Sequence, residues 1–568
     1  MDLTASPSAR TTTAIRLGVG FLQGLALFLL HHVQTAKLWP STEPLIFAPL
    51  MLVAAFAPFV VLAGVGALKR KSLIVWTLGA AILTAGLAWH GAWQGVDGDR
   101  MPDAPVFLAI AAGLFIAHHL IQPAQAERRW VAAYPAYFDI TWMHGVQLAL
   151  SVAFTGAFWI LLFLGSSLFK LIGIEAFQKL ISEEAFAYPA TTVMFAAAVQ
   201  LTDVRSTLVR GVRTVALTLL AWLLPLMTLI AAGFLASLPF TGLEPLWKTK
   251  AATALLLTAA AHLIVLINAA YQDGEDAPHL VLKWAARIAG LLLVPISLLA
   301  AYGLALRIGQ YGLTPERVFA AAFVVIAAGY ALGYTIAAVR PGAWMKALER
   351  TNIAQAFVAI ALILALFTPI ADPARLSVQD QVGRLERGTV KAEAFDFQFL
   401  RFDSGPYGKA ALERLKTSQD AAIARLAREA SAQTEKTPPK PEKPDLSKIK
   451  VFPTGANLPA SFAGQAWGDE SGSSCLYSGS ECLALLLDTD GDQTDEVLLA
   501  AGNAFDIFKS VDGRWRKVAE TQAGCQSAAL DAALKKGPIR MSESVQRRDL
   551  LVGDLRLTLT PAGPGCAF

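Results

Sequence analysis

The chain has 568 residues, 55% of them apolar and only 16% charged, against about 25% charged in an ordinary soluble domain. Its mean hydropathy is +0.48 and its net charge +4. These values exclude an ordinary soluble protein, and with no basic run longer than Lys69-Arg70-Lys71 they argue against nucleic acid as a partner.

Crossing about 30 Å of hydrocarbon takes roughly 20 mostly apolar residues in a helix. In chain order, about eleven such stretches precede residue 373: 14–30, 45–68, 72–92, 104–121, 140–164, 185–201, 212–238, 251–271, 281–306, 315–339 and 351–370. The first follows Arg10 and Arg16, as a signal sequence would. Its exit, Leu30-His31-His32-Val33, offers no small-x-small cleavage site, so it reads as an uncleaved anchor. The stretch 185–201 is the weakest, interrupted by Pro189 and bounded by Asp203, and either spans or re-enters. Gly20-x-x-x-Gly24 and Gly329-x-x-x-Gly333 predict close helix contacts, and Pro225 and Pro295 predict mid-span kinks.

Lys69-Arg70-Lys71, Arg128-Arg129, Arg205/Arg210/Arg213, Lys283/Arg287 and Arg340/Lys346/Arg350 fall in alternate loops. Positive charge concentrates in short cytoplasmic loops. The N-terminus is therefore expected in the cytoplasm, and everything after 370 on the far side of a bacterial inner membrane, in the periplasm. The cysteines give an independent line. Cys475, Cys482, Cys525 and Cys566 all lie in that last portion, as disulfides in an oxidising compartment would. Four cysteines allow three connectivities, of which Cys475–Cys482 with Cys525–Cys566 is favoured.

The expected fold is an α-helical polytopic membrane bundle over 1–372, followed by a small α+β extracytoplasmic region. That region divides into a helical connector over 373–430, a Pro/Lys-rich linker over 431–447 and a disulfide-bonded domain over 448–568. In the connector Gly405-Pro406 starts a fresh helix. In the last domain strand-like runs occur at 482–487, 496–500, 504–509 and 555–559.

Four groups of residues carry candidate chemistry. Asp488, Asp490, Asp492 and Asp495, with Gly491 inside the turn, can wrap oxygens around Ca²⁺, although the spacing is not that of an EF-hand and a solvated acidic hairpin turn is the alternative. All eight histidines precede residue 280, which excludes a histidine-based hydrolase or zinc centre from the last domain. His31, His32 and His90 map to one face of the membrane, and His118, His119 and His144 to the other. Paired haems would use such clusters, but no pair is expected at matching depth on facing helices, so haem is not expected. Asp203, Arg205, Arg210, Arg213, Asn268, Gln272 and Asp273 form a candidate polar membrane site for a phosphate or lipid head group, with Asp139 beside them; topology alone would also explain the arginines. Glu244, Thr241 and Lys248 are the remaining acid, hydroxyl and base set, within a segment that also reads as a tight loop. No phosphate-cradling loop, Cys-x-x-Cys, His-Glu-x-x-His or Gly-x-Ser-x-Gly occurs, so no catalytic residue is assigned.

Several longer strings resemble the bacterial membrane proteins grouped as domain-of-unknown-function family 4153. They are Leu208-Val-Arg-Gly-Val-Arg213, Pro239-Phe-Thr-Gly-Leu-Glu-Pro-Leu-Trp247, Ile267-Asn-Ala-Ala-Tyr-Gln-Asp-Gly274, Phe395-Asp-Phe-Gln-Phe-Leu-Arg-Phe402 and Gly405-Pro-Tyr-Gly408, with the acidic turn, over roughly 130–520. The resemblance implies a polytopic inner-membrane protein with an external C-terminal domain, and carries no activity. The leading expectation is an envelope scaffold or sensor whose partners are the bilayer, envelope proteins and lipid head groups. The alternative is a transporter or lipid flippase, which requires a water-filled, polar-lined cavity between the helices.

Overall fold

An apolar run in lipid can satisfy its backbone only as a helix or within a closed barrel, and each run predicted above is helical in the computed structural model. The structure describes residues 9–95, 101–249, 251–275, 278–341, 344–436, 446, 449–452, 456–465, 467, 473–476, 482–489, 491–501, 504–522, 550–552 and 555–557. Contacts divide the chain into two units, Met1–Lys436 and Thr437–Phe568.

The first unit opens with α1 (Ala9–Thr35), α2 (Pro44–Gly64), α3 (Arg70–Gln94), α4 (Ala104–Ala126), α5 (Tyr134–Leu171), α6 (Ala176–Ser182) and α7 (Glu184–Val204). It continues with α8 (Ser206–Thr241), α9 (Glu244–Lys248), α10 (Ala252–Tyr271), α11 (Leu280–Tyr311), α12 (Pro315–Val339) and α13 (Ala347–Leu366). Among the described residues, eleven of these are long and apolar enough to cross a membrane; α6 and α9 are too short. The doubtful stretch resolves as α7, a continuous helix of 21 residues through Pro189, about 31 Å long at 1.5 Å per residue. Helices α8 and α11 likewise run through Pro225 and Pro295 without interruption.

Lipid is as apolar as leucine, so these helices hold together by close packing rather than by hiding hydrophobic surface. Large side chains such as Leu161, Leu219 and Leu229 point outward, while the seams of α10, α11 and α12 are built of alanines such as Ala260, Ala286, Ala289 and Ala331. Both glycine motifs lie at such seams. A Cβ at Gly20 would stand 2.8 Å from Ala196 Cβ on α7, and one at Gly24 would overlap Pro189 and Thr192. Side chains at Gly329 and Gly333 would overlap Gln355 and Thr351 on α13.

The connector packs within this same unit. Its helices are α14 (Pro373–Glu386), α15 (Gly405–Leu415) and α16 (Ala421–Ala432), joined through a π-helical turn at Phe399–Asp403. Val382, Leu385, Leu400, Leu412 and Ala427 form its core. Asp372 and Asp420 cap α14 and α16, accepting from the Arg375 and Ala422 amides at 3.0 and 2.8 Å. Two anchors tie the connector to the bundle. Asp372 Oδ2 lies 2.7 Å from His90 Nε2 of α3, with both side chains buried. Gln381 donates to the Tyr311 and Leu313 carbonyls, Arg384 to those of Gly309 and Gln310, and Asp380 accepts from the Leu313 amide. Gly405 has φ +52°, and a Cβ there would overlap the Gln94 carbonyl, which is why the fresh helix begins on glycine.

The second unit contains a five-stranded sheet ordered β1 (Lys450–Phe452), β2 (Leu483–Leu487), β3 (Glu496–Ala501), β4 (Ala504–Val511) and β5 (Arg514–Gln522). β1 runs parallel to β2 and the rest are antiparallel. Strands β6 (Leu550–Val552) and β7 (Leu555–Leu557) pair separately. Phe462, Trp467, Phe508 and Trp515 pack against one another over one side of the larger sheet. Cys475 and Cys482 are joined in a disulfide, whereas the predicted partners Cys525 and Cys566 lie outside the described residues. Strands β1, β5 and β6 lie outside the strand-like runs expected from the sequence.

Candidate functional site

A polar group inside an apolar bundle must find a partner or cost free energy. The densest set of such groups lies where α4 and α5 cross. His118 sits about 12 Å from the C-terminal end of α4, and His144 about 15 Å from the N-terminal end of α5. Three imidazoles gather there: ring centroids are 5.0 Å apart for His119–His144, 5.6 Å for His118–His119 and 6.0 Å for His118–His144.

Their protonation pattern follows from their partners. The Trp76 indole can only donate, so His118 Nδ1 accepts from it at 3.1 Å and Nε2–H donates to Gln122 Oε1 at 3.0 Å. The Phe115 carbonyl can only accept, so His119 Nδ1–H donates to it at 2.7 Å. His119 Nε2 then accepts from His144 Nδ1–H at 3.0 Å. The pattern is that of three neutral imidazoles, and the series ends on His144 Nε2, which has no hydrogen-bond partner among the described residues. The expectation that no histidine pair meets on facing helices is thus corrected. His119 and His144 meet because α5 begins at Tyr134, before its apolar window, and carries His144 within the bundle rather than at its edge. They meet ring nitrogen to ring nitrogen, with no room for iron between them.

Two cavities adjoin this cluster. The first, about 270 Å³, lies among α2, α4, α5 and α7 and is lined by aromatic and aliphatic side chains, including Phe56, Phe59 and Phe195, with the three histidines and Gln147. Its lining residues Phe59 and Leu148 are exposed on the outer surface of the bundle, so it opens toward lipid. The second, about 240 Å³, shares Phe115 and His119 with the first and is lined by Tyr134, Trp142, Asn268, Tyr330 and Asn352. Its asparagines and Tyr134 satisfy one another together with Tyr334. Asn352 Nδ2 donates to Asn268 Oδ1 at 2.6 Å and Tyr134 OH at 3.1 Å, Asn268 Nδ2 to Tyr334 OH at 2.7 Å, and Tyr334 OH to Asn352 Oδ1 at 2.7 Å.

The predicted polar site is not one site. Asp203 pairs with Arg16 at 2.7 Å, Arg213 pairs with Asp139 at 2.6 Å, and Asn268 belongs to the asparagine–tyrosine network. Arg205 and Arg210 are exposed, and Gln272 and Asp273 sit half-buried in the turn after α10. Arg16, read above as part of a signal-like N-terminus, is instead 3% exposed and donates to the Leu62 and Val65 carbonyls, Gln200 and Asp203. Its position was readable after all: Arg16, Gly20, Gln23 and Gly24 share one face of α1. Of the other face's histidines, His31 contacts Glu184 and His90 contacts Asp372, on different helices. Thr241 donates to its own helix at Ser237 O, 3.1 Å away, and Lys248's side chain lies outside the described residues.

In the acidic turn between β2 and β3, Asp488 accepts from the Gly491 and Gln493 amides at 2.7 and 2.9 Å. Asp492 binds Thr494 and, at 2.5 Å, the Lys509 ammonium. That ammonium, with the Thr494 hydrogen bonds, holds the Asp492 carboxyl down to about 2. The pair therefore persists on acidification until the pH falls to about that value. Asp490 lies outside the described residues, and among the described residues no group of three or more His, Cys, Asp or Glu is placed to hold a metal.

No curated protein and no solved structure matches the chain. A family model does, over residues 50–415, from within α2 to the end of α15. That match begins earlier than the resemblance expected from residue 130 and stops short of the acidic turn. It takes in the residues that line both cavities and much of the connector. The chain therefore belongs to the family described as Domain of unknown function (DUF4153).

Proposed function

We propose that the chain is a multi-pass protein of the bacterial inner membrane that accommodates an amphiphile in the cytoplasmic half of its bundle, as a lipid-handling transporter or flippase. The observation that carries this is the pair of adjoining cavities that share Phe115 and His119 in their walls, the first of them mostly apolar in its lining, with histidines and Gln147 in the same wall, and open to lipid at Phe59 and Leu148. The water-filled cavity first expected of a transporter gives way to a lipid-facing one. The cytoplasmic N-terminus and periplasmic second unit are supported by the alternating basic loops and by the Cys475–Cys482 disulfide.

The test is native mass spectrometry of the chain extracted from its own membranes. One co-purifying amphiphile per chain is expected, and Ala63→Trp, which fills the first cavity, should abolish its retention. Equal retention by both chains would sink the reading. Ca²⁺ binding by the turn of Asp488, Asp490, Asp492 and Asp495 is a separate proposal, with Lys509 as the internal competitor. Millimolar Ca²⁺ should raise the melting temperature of the Lys509→Met chain more than that of the parent; no difference overturns it.

A further inference from the structure

We infer that the first cavity binds the hydroxyl-bearing head of an uncharged amphiphile, with His144 Nε2 and Gln147 Oε1 as its hydrogen-bond acceptors. The inference rests on the amphiphile reading above and adds the chemistry of the head group.

The hydrogen-bond series fixes which atoms remain. His119 Nδ1–H must donate to the Phe115 carbonyl, so His119 Nε2 takes the proton of His144 Nδ1 and leaves the lone pair on His144 Nε2. Gln147 stands three residues on, on the same face of α5, and gives one of its two amide N–H donors to the Val199 carbonyl at 2.9 Å, which leaves Oε1 and the second N–H, a donor–acceptor set that a hydroxyl, itself both donor and acceptor, can match. Neither His144 Nε2 nor Gln147 Oε1 has a hydrogen-bond partner among the described residues, neither is sealed off, and both residues line the cavity. In the second cavity Asn268, Asn352 and Tyr134 are already paired among themselves and with Tyr334, so they offer no such pair of spare acceptors.

Two spare acceptors in an apolar wall select a donor. A phosphate or carboxylate head offers mainly lone pairs and would leave both acceptors unpaired as well as burying its own charge. An ammonium head would need a carboxylate, and the nearby Asp203 is already engaged by Arg16. A hydroxyl donates to His144 Nε2 without burying charge, and a vicinal diol can satisfy both acceptors. At about 270 Å³ the cavity takes the head and the first part of a chain, and the opening at Phe59 and Leu148 lets the remainder lie in the bilayer.

The full chain in phosphatidylcholine nanodiscs can be photolabelled with dodecan-1-ol carrying a mid-chain diazirine, with its methyl ether and with its phosphate monoester, and the labelled peptides identified by mass spectrometry. The alcohol should label the cavity segments of α2 and α5 about tenfold more than either analogue, the factor expected from one unmade hydrogen bond at a buried acceptor. His144→Phe should remove that preference. If the variant does not fold, the comparison among the three probes on the parent chain decides. Equal labelling by alcohol and ether, or stronger labelling by the phosphate, overturns the donor assignment while leaving an amphiphile site. Labelling of these segments no stronger than that of other lipid-facing helices, for all three probes, overturns the amphiphile reading and the inference with it.

Discussion

Replacing Asp372 with alanine is expected to cost about 2–4 kcal/mol of stability, because it leaves the buried His90 ring without its hydrogen-bond partner and removes a helix cap. Both side chains are nearly inaccessible, 6% for His90 and 0% for Asp372, so water cannot take over the lost contact. The same carboxylate caps α14 through the Arg375 amide, a contribution of about 1 kcal/mol on its own. Replacing both partners by leucine should cost less than the alanine variant, because no buried polar group is then left alone. Thermal unfolding of the full chain in detergent measures both. A single variant within about 1 kcal/mol of the parent would show that the connector is held mainly by Gln381 and Arg384 instead.

Arg16→Leu should be comparably damaging, at several kcal/mol. One guanidinium ties three helices: it serves the Leu62 carbonyl at the end of α2 and that of Val65 just beyond it, and Gln200 and Asp203 on α7. Removing it leaves the Leu62 and Val65 carbonyls and Gln200 Oε1 without their donor, in a seam where glycines have already brought α1 against α7, while the half-exposed Asp203 turns to water. Arg16→Lys is expected to fail nearly as badly. An ammonium has three donors on a single nitrogen and cannot span acceptors lying on different helices. The yield of monodisperse protein and its melting temperature report both variants. A fully stable lysine variant would mean that charge alone, rather than the planar fork, holds the seam.

The bundle was legible because spanning lipid imposes a length and a composition that no other constraint mimics, and the eleven runs show both. The two glycine motifs were legible for a similar reason, since only a close contact explains small residues at that spacing. What could not be read was which polar residues meet. Arg16 and Asp203 are 187 residues apart, and His119 and His144 sit on helices apolar on nearly every side, where no amphipathic stripe says which face turns inward. Grouping ionisable residues by depth therefore collected Asp203, Arg213 and Asn268, which the fold sends to three different partners. In the second unit, β5 was missed because Arg514, Arg516, Lys517 and Glu520 break the apolar alternation. Two of its charges have a structural use: Lys517 pairs with Asp506 across the strands at 2.7 Å, and that carboxylate, with Glu520, raises the lysine above its ordinary range.

The two anchors of the connector have a mechanical consequence. The chain entering α14 is fastened to α3 through Asp372, and about three turns further on the same short helix grips the turn between α11 and α12 through Gln381 and Arg384. A helix fixed near both ends is a strut. Helix α3 and the α11–α12 hairpin cannot draw apart at that face unless one fastening is torn out. Any relative motion of α3 and the α11–α12 hairpin is therefore hinged at this face.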